Sequence, residues 1–246
     1  MENTSYVALS RQAALWRQME IVANNMANAN TNAYKGEEAM FSDYLVKTKS
    51  DTTPFGRKVS YVHDIGTLRD TREGTLNSTG NQLDVALHND GYFVADTPAG
   101  PRYTRDGHFS LDENGMMVTS SGYPVLQKNG QPIVFAPNES RISIAQDGTI
   151  STENGTVANL RVVRFDNEQL MRKAGNNTYQ TDQNPTDVER PSIQQGMLEE
   201  SNVQPVVEVT RMVSILRNYE GVQKMIENEH DRQMKAMQVL SQSQKA

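Results

Sequence analysis

The residues best suited to chemistry are few and scattered. The four histidines are His63, His88, His108 and His230. None lies four residues from another, or beside a glutamate at a metal-ligand spacing, so the expected role of each is structural. The carboxylate pairs Glu37-Glu38 and Glu199-Glu200 have the residue type for acid–base work. Nothing along the chain gathers them into a pocket, and solvated surface charge is the expectation. There are no cysteines, which excludes disulfides, thiolate zinc sites and a cysteine nucleophile. No phosphate loop, dinucleotide fingerprint or nucleophile elbow occurs. The sequence therefore predicts no catalytic, cofactor-binding or metal-ligating residue, and no cofactor.

Charge and hydropathy narrow the partners. The 246 residues carry a formal net charge of −6, against the basic surface that nucleic-acid binding needs. No stretch approaches the roughly 20 apolar residues of a membrane helix, so membrane insertion is not expected. Met1 to Ser10 lacks a basic segment followed by an apolar block, so no cleavable secretory signal is visible. Either the protein stays in the cytosol or another route exports it.

The elements around these residues have a clear order. From about Thr4 to Asn28, Ala8, Gln12, Leu15, Met19, Val22 and Met26 recur at alternating steps of three and four. Leu9, Trp16 and Ala23 widen that stripe. The helix runs into Asn24, Asn25, Asn28, Asn30 and Asn32, which can end it through left-handed turns or make amide bonds across a helix–helix contact. From Pro205 to about Ser243, Val209, Met212, Leu216, Tyr219, Gln223, Ile226, His230, Gln233, Met237 and Leu240 show the same spacing, which is that of a coiled-coil seam. Pro205 suits a first-turn position.

Between the helices, residues 34–79 read as an irregular connecting segment. Met40, Phe41, Tyr44 and Leu45 form a short amphipathic turn there, Lys47 to Arg57 is a loop, and Val59, Tyr61 and His63 alternate as a strand does. Residues 80–190 hold six Asn-Gly or Asp-Gly dipeptides between short β-favouring runs. They predict a mainly antiparallel β domain with Leu83, Val85, Phe93, Phe109, Leu111, Val118, Val125, Ile133, Ile142, Ile150 and Val162 inside. The fold class is α+β: long N- and C-terminal helices (1–33 and 191–246 with its linker) pairing as a coiled coil around a central β domain. Seams this long need the other terminus or another copy, so assembly is favoured over catalysis. The competing classes are an enzyme or sugar-binding β domain flanked by oligomerising helices, and a cytosolic coiled-coil adaptor.

Three blocks carry a resemblance. Ala23-Asn24-Asn25-Met26-Ala27-Asn28-Ala29-Asn30-Thr31-Asn32-Ala33-Tyr34-Lys35 resembles the N-terminal signature of bacterial flagellar basal-body rod and hook proteins, with Ala33-Tyr34 where Gly-Phe is usual. Leu83-Asp84-Val85-Ala86, Gly91-Tyr92-Phe93 and Tyr103-Thr104-Arg105 are similar to the family's central β domain. Leu198-Glu199, Ser201-Asn202-Val203 and Arg217-Asn218-Tyr219-Glu220 are similar to its closing motif. Length and the short central region look most like the family's proximal rod branch, with the distal rod branch as the alternative.

The resemblance implies a structural subunit whose partners are copies of itself and other rod proteins. It implies passage through the flagellar type III export apparatus without a cleaved signal, and a place in the rod within the periplasm. The assembly interface it implies comprises Leu15, Trp16, Met19, Val22, Asn24, Asn25, Met26 and Asn28 on the first helix and the turn after it. On the second helix it comprises Val209, Met212, Leu216, Tyr219, Ile226 and Met237.

Overall fold

The computed structural model of the chain describes residues 2–48, 57–137, 139 and 141–243. A 26-residue helix α1 (Glu2–Ala27) opens the chain and a 39-residue helix α2 (Pro205–Ser243) closes it. Between them lie β-strands, most of them short and paired antiparallel, so the class is α+β. Asn3, Thr4 and Ser5, candidate caps by residue type, lie inside α1, because the helix already runs from Glu2.

The chain divides into two compact units, and it passes from one to the other four times. The first unit comprises residues 1–27, 37–68 and 204–246, and the second comprises residues 28–36 and 69–203.

In the first unit, strands β1 (Glu37–Thr48) and β2 (Arg57–Arg69, whose last residue belongs to the second unit) pair as a two-stranded ribbon. This corrects the irregular connector and the amphipathic turn at Met40 to Leu45. Met40, Tyr44, Leu45, Ile65 and Leu68 are exposed. With these large apolar side chains in solvent, the described part of the ribbon shows little of the in–out alternation by which strands are recognised. Residues 49–56 of the expected loop lie outside the described residues.

The second unit is held by backbone ladders and two apolar clusters. Strand β3 (Leu76–Ser78) pairs with Met197–Glu199, and β4 (Val85–His88) pairs with Ser192–Gln195. A six-stranded antiparallel sheet is built around β5 (Tyr92–Thr97) and β6 (Gly100–Thr104). Val85, Phe93, Phe109, Val125, Ile133, Ile142, Ile150 and Val162 share the larger cluster, with Leu83 packed against it. Tyr92, Val94, Tyr103, Val163, Phe165, Met171 and Tyr179 form the second. Leu111, expected inside, is exposed because it ends a three-residue strand whose buried contact is made by Phe109.

Gly107 shows how closely the backbones pack. A Cβ there would stand 1.6 Å from the Val85 carbonyl oxygen. Only glycine permits that approach.

Candidate functional site

Two constructions in this chain go beyond ordinary core packing. One is the helix pair of the first unit. The other is a knot of buried charge in the second.

Ala8, Leu15 and Val22 of α1 bury against Ile215 and Val222 of α2, with Met19, Met212, Tyr219 and Ile226 packed around them. Near one end of the pair, the Asn25 side-chain amide donates to Glu208 Oε2 at 3.4 Å. Further along, the Trp16 and Tyr219 rings lie 6.4 Å apart. Moving back along α1 therefore moves forward along α2, and the two helices run antiparallel.

The structure keeps Ala8, Leu15, Met19 and Val22 on the α1 seam, leaves Leu9, Trp16 and Ala23, expected to widen it, exposed, and shifts part of the α2 seam. Met212, Tyr219 and Ile226 lie on it as expected. Val209 and Leu216 do not: they are 48% and 45% exposed, while Ile215 and Val222 are 9% and 8% exposed. The reason is degeneracy. Steps of four and three from Met212 reach Leu216 and Tyr219, and steps of three and four reach Ile215 and Tyr219. Both intermediates are apolar, and only packing chooses between them. Met237 is exposed, as are Gln223 and His230, and the Leu240 side chain lies outside what is described. Trp16 is exposed on the flank of α1, donating its indole N–H to Glu20 at 3.1 Å.

The asparagine block does one of the two jobs open to it: Asn25 bonds across the helix contact, while none of these asparagines takes a left-handed φ, and the left-handed residue of the turn is Ala33. Asn28 closes the turn after α1, its carbonyl accepting the Thr31 N–H at 3.1 Å. Asn25 is buried and reads the backbone of Glu37 twice, accepting its N–H at 3.0 Å and donating to its C=O at 2.8 Å. Asn24 is exposed, Met26 and Asn28 half-buried. The Ala33 that replaces the usual glycine sits at φ +53°, in the left-handed region, with its N–H on the Glu199 carbonyl at 2.7 Å. The turn persists despite the Cβ.

At the start of α2, Val207 and Glu208 donate their N–H groups to the Gln204 carbonyl, and Pro205 occupies the first turn as expected. The buried Glu208 carboxylate, in that same turn, takes the Arg211 guanidinium at 2.9 Å.

In the second unit, Lys35, Arg105 and Glu199 converge, with side chains 2%, 3% and 0% exposed. Glu199 Oε1 accepts Lys35 Nζ at 2.5 Å and the Gly74 N–H at 3.0 Å, and its Oε2 accepts Arg105 Nε at 2.9 Å. Lys35 also donates to the Arg72 carbonyl at 2.7 Å, and Arg105 to the Asn89 and Gly91 carbonyls at 3.1 and 3.3 Å. Glu73 stands 3.7 Å from Arg105.

Burial opposes ionisation of Glu199, but Arg105 and Lys35 override it and hold its carboxyl below the ordinary range. Burial likewise opposes the Arg105 charge, and Glu199 outweighs it, so the guanidinium is held more firmly protonated. For Lys35 burial prevails over Glu199, and the ammonium pKa falls.

Asn202 completes the closure. Its Oδ1 accepts the Gly36 N–H at 2.8 Å, and its Nδ2 donates to the carbonyls of Asp70 and Arg72 at 2.9 and 3.1 Å.

Sequence reasoning took Glu199 for a solvated neighbour of Glu200. The structure buries the first and leaves the second outside, accepting from Asn77. Lys35 and Arg105 were missed as partners of Glu199. A signal was present: each of the three signature blocks contributes one of these charges.

Elsewhere among the described residues, two of the histidines pair singly with carboxylates. His88 faces Glu73 at 3.2 Å, and His108 faces Asp84 at 2.8 Å. Asp84 is already engaged by Thr79 and Asn81, at 2.6 and 3.0 Å. Among the described residues no three His, Asp or Glu side chains stand together as metal ligands. A cleft of about 530 Å³ beside Arg102, Tyr103, Arg172 and Gln180 holds one carboxylate, Asp182. It offers no acid–base pair.

Comparison with known proteins accounts for the same three blocks. Residues 6–35 match the family described as flagella basal body rod protein. Residues 86–152 match the flagellar hook protein FlgE/F/G D1 domain, and residues 194–239 the flagellar basal body rod FlgEFG protein C-terminal family. The chain is 40% identical to the flagellar basal-body rod protein FlgF of Caulobacter vibrioides over 230 residues, covering 93% of this chain and 94% of the relative. It is 35% identical to FlgF of Rhizobium meliloti over 246 residues, covering 99% and 100%. To the flagellar basal-body rod protein FlgG of Bacillus subtilis it is 30% identical over 251 residues, covering 92% and 94%.

Proposed function

This chain belongs to the flagellar basal-body rod protein family, as a structural subunit of the FlgF type rather than an enzyme, and we propose that it builds the rod through its terminal helices. Its partners are copies of itself and other rod proteins. The polymerisation elements are residues 1–33 and 191–246, pairing as a coiled coil that lines a hollow axial tube. The central β domain, residues 80–190, lies outside that wall. The subunit travels through the flagellar type III export apparatus without a cleaved signal and joins the rod within the periplasm.

One observation carries this reading. The helix pair buries one apolar seam and leaves a second set of apolar residues on the same helices in solvent. Trp16, Val209 and Leu216 are all exposed although they stand beside residues that are not. Exposed apolar residues of this density mark an interaction face. Covering them on incorporation removes apolar area from water at about 25 cal/mol per Å². That gain offsets the entropy of ordering two long helices.

Removing residues 205–243 tests the proposal. The expected product keeps the β-unit melting transition and does not enter basal bodies. Normal rods assembled from that truncated chain would sink the proposal.

A further inference from the structure

A row of three long side chains crosses one flank of the six-stranded sheet. Arg172 stands opposite Gln180 on the paired strands Arg172–Lys173 and Tyr179–Gln180, and Tyr179 stands opposite Tyr103 of β6. Gln180 and Arg102 are therefore neighbours as well, and the Arg102 guanidinium donates to the Gln180 side-chain oxygen. Opposed residues share a face, so Arg172, Gln180 and Arg102 project together over about 10 Å, two strand spacings. With Thr181, Asp182 and Leu170 they line the cleft of about 530 Å³. Small-ligand sites run from roughly 300 to 1,000 Å³, and this cleft falls within that range.

The charges in the cleft stand unpaired. Among the described residues, Arg102, Arg172 and Asp182 form no ion pair. Arg105 and Arg161 of the same unit each take a carboxylate, at 2.9 and 2.8 Å. Arg102 is held instead by a neutral amide, which fixes the guanidinium and leaves its charge in place. Leu170 is 61% exposed.

We propose that this cleft binds a carboxylated saccharide, a uronic acid unit whose carboxylate lies across Arg102 and Arg172. A guanidinium fork grips a carboxylate with two parallel bonds. The rest of the lining matches what a sugar carries besides. The ionised Asp182 only accepts hydrogen bonds, and ring hydroxyls supply them. The Gln180 amide and the Thr181 hydroxyl both donate and accept. Leu170 offers an apolar surface to the C–H face of the ring.

Other anions match the lining less completely. A phosphate group brings a second negative charge against Asp182 and leaves Leu170 uncovered. An extended acidic peptide must also satisfy its backbone, which it does by adding to a sheet edge. The edge strand here, Arg172–Lys173, is two residues long. Every residue of the cleft belongs to the second unit, so the binding depends neither on the helix seam nor on the rod reading.

Saturation-transfer NMR on the full-length chain tests this, with digalacturonate as the probe. The expected result is saturation of its ring protons. Its dissociation constant rises at least about tenfold in Arg172→Gln and in Arg102→Gln, as loss of a charged hydrogen-bonding partner requires. Arg190→Gln, an exposed arginine of the same unit outside the cleft, leaves the constant unchanged. Asp182→Ala weakens the saccharide, whereas it would tighten a site for simple anions. Neutral galactobiose does not bind, and neither diglutamate nor inorganic phosphate displaces the probe at equal concentration. No saturation, binding untouched by both cleft arginine variants, equal binding of galactobiose, displacement by diglutamate or phosphate, or tighter binding in Asp182→Ala would each overturn the proposal.

Discussion

Substituting Glu199 by glutamine probes the buried charge knot. The change preserves shape and removes the negative charge that meets Lys35 Nζ at 2.5 Å and Arg105 Nε at 2.9 Å. The new amide oxygen keeps a place for the Lys35 and Gly74 donors, but the amide NH₂ then meets the Arg105 N–H, donor against donor. Breaking a buried ion pair from one side costs about 3–5 kcal/mol. The lower end applies, because Glu73 stays 3.7 Å from Arg105 as a partial counter-charge.

At about 2–4 °C per kcal/mol for a chain of this size, the midpoint of the β unit falls by roughly 10 °C in calorimetry. Adding Lys35→Met to Glu199→Gln removes one stranded cation, and the double variant recovers at least ~1 kcal/mol relative to additivity.

Acid titration gives a second readout. The Glu199 carboxyl is depressed in the folded chain by Arg105 and Lys35 against its own burial. Its contribution is complete above the unfolded value of about 4.3 and is lost as pH falls through the folded value. Glu199→Gln therefore flattens the acid limb of the stability curve. A loss below ~1 kcal/mol at neutral pH, or parallel acid limbs for the two proteins, would refute the reasoning.

Three further substitutions separate local roles. Ala33→Gly relieves a Cβ at φ +53° and raises stability by about 1 kcal/mol in urea unfolding, against the usual cost of glycine. Asn202→Ala strips partners from the Gly36 N–H and from the Asp70 and Arg72 carbonyls, lowering β-unit stability by about 1–3 kcal/mol by the same measurement. Ile215→Asp places a charge in the inner seam and reduces helical circular dichroism. Leu216→Asp, one residue on and exposed, leaves the helix signal and the β-unit melting intact yet stops incorporation into basal bodies.

What the sequence revealed depended on whether a feature was periodic or convergent. Both helices were legible because a buried line repeats every three or four residues, as Leu15, Met19 and Val22 do. The choice between Ile215 and Leu216 was not, since either completes the period. Phe93, Ile133 and Ile150 were recognisable as core from their setting between turn dipeptides. The ribbon of β1 and β2 escaped because apolar residues such as Tyr44 and Ile65 face solvent there. The charge knot escaped for a different reason. Lys35 and Glu199 are 164 residues apart and Arg105 lies between them, so no local window contains the pattern.

That separation has a consequence for the order of events along the proposed export route. A chain threading lengthwise through a narrow conduit emerges one residue after another, whichever end leads. The strand at Met197–Glu199 completes β3, and Glu199 neutralises Lys35, so closure awaits a residue from each extremity of the unit. Until both have passed, neither that strand pairing nor that ion pair adds to the stability of the part already delivered. The ionic tie between the two signature blocks is thus among the last native contacts that a chain delivered from one end can make.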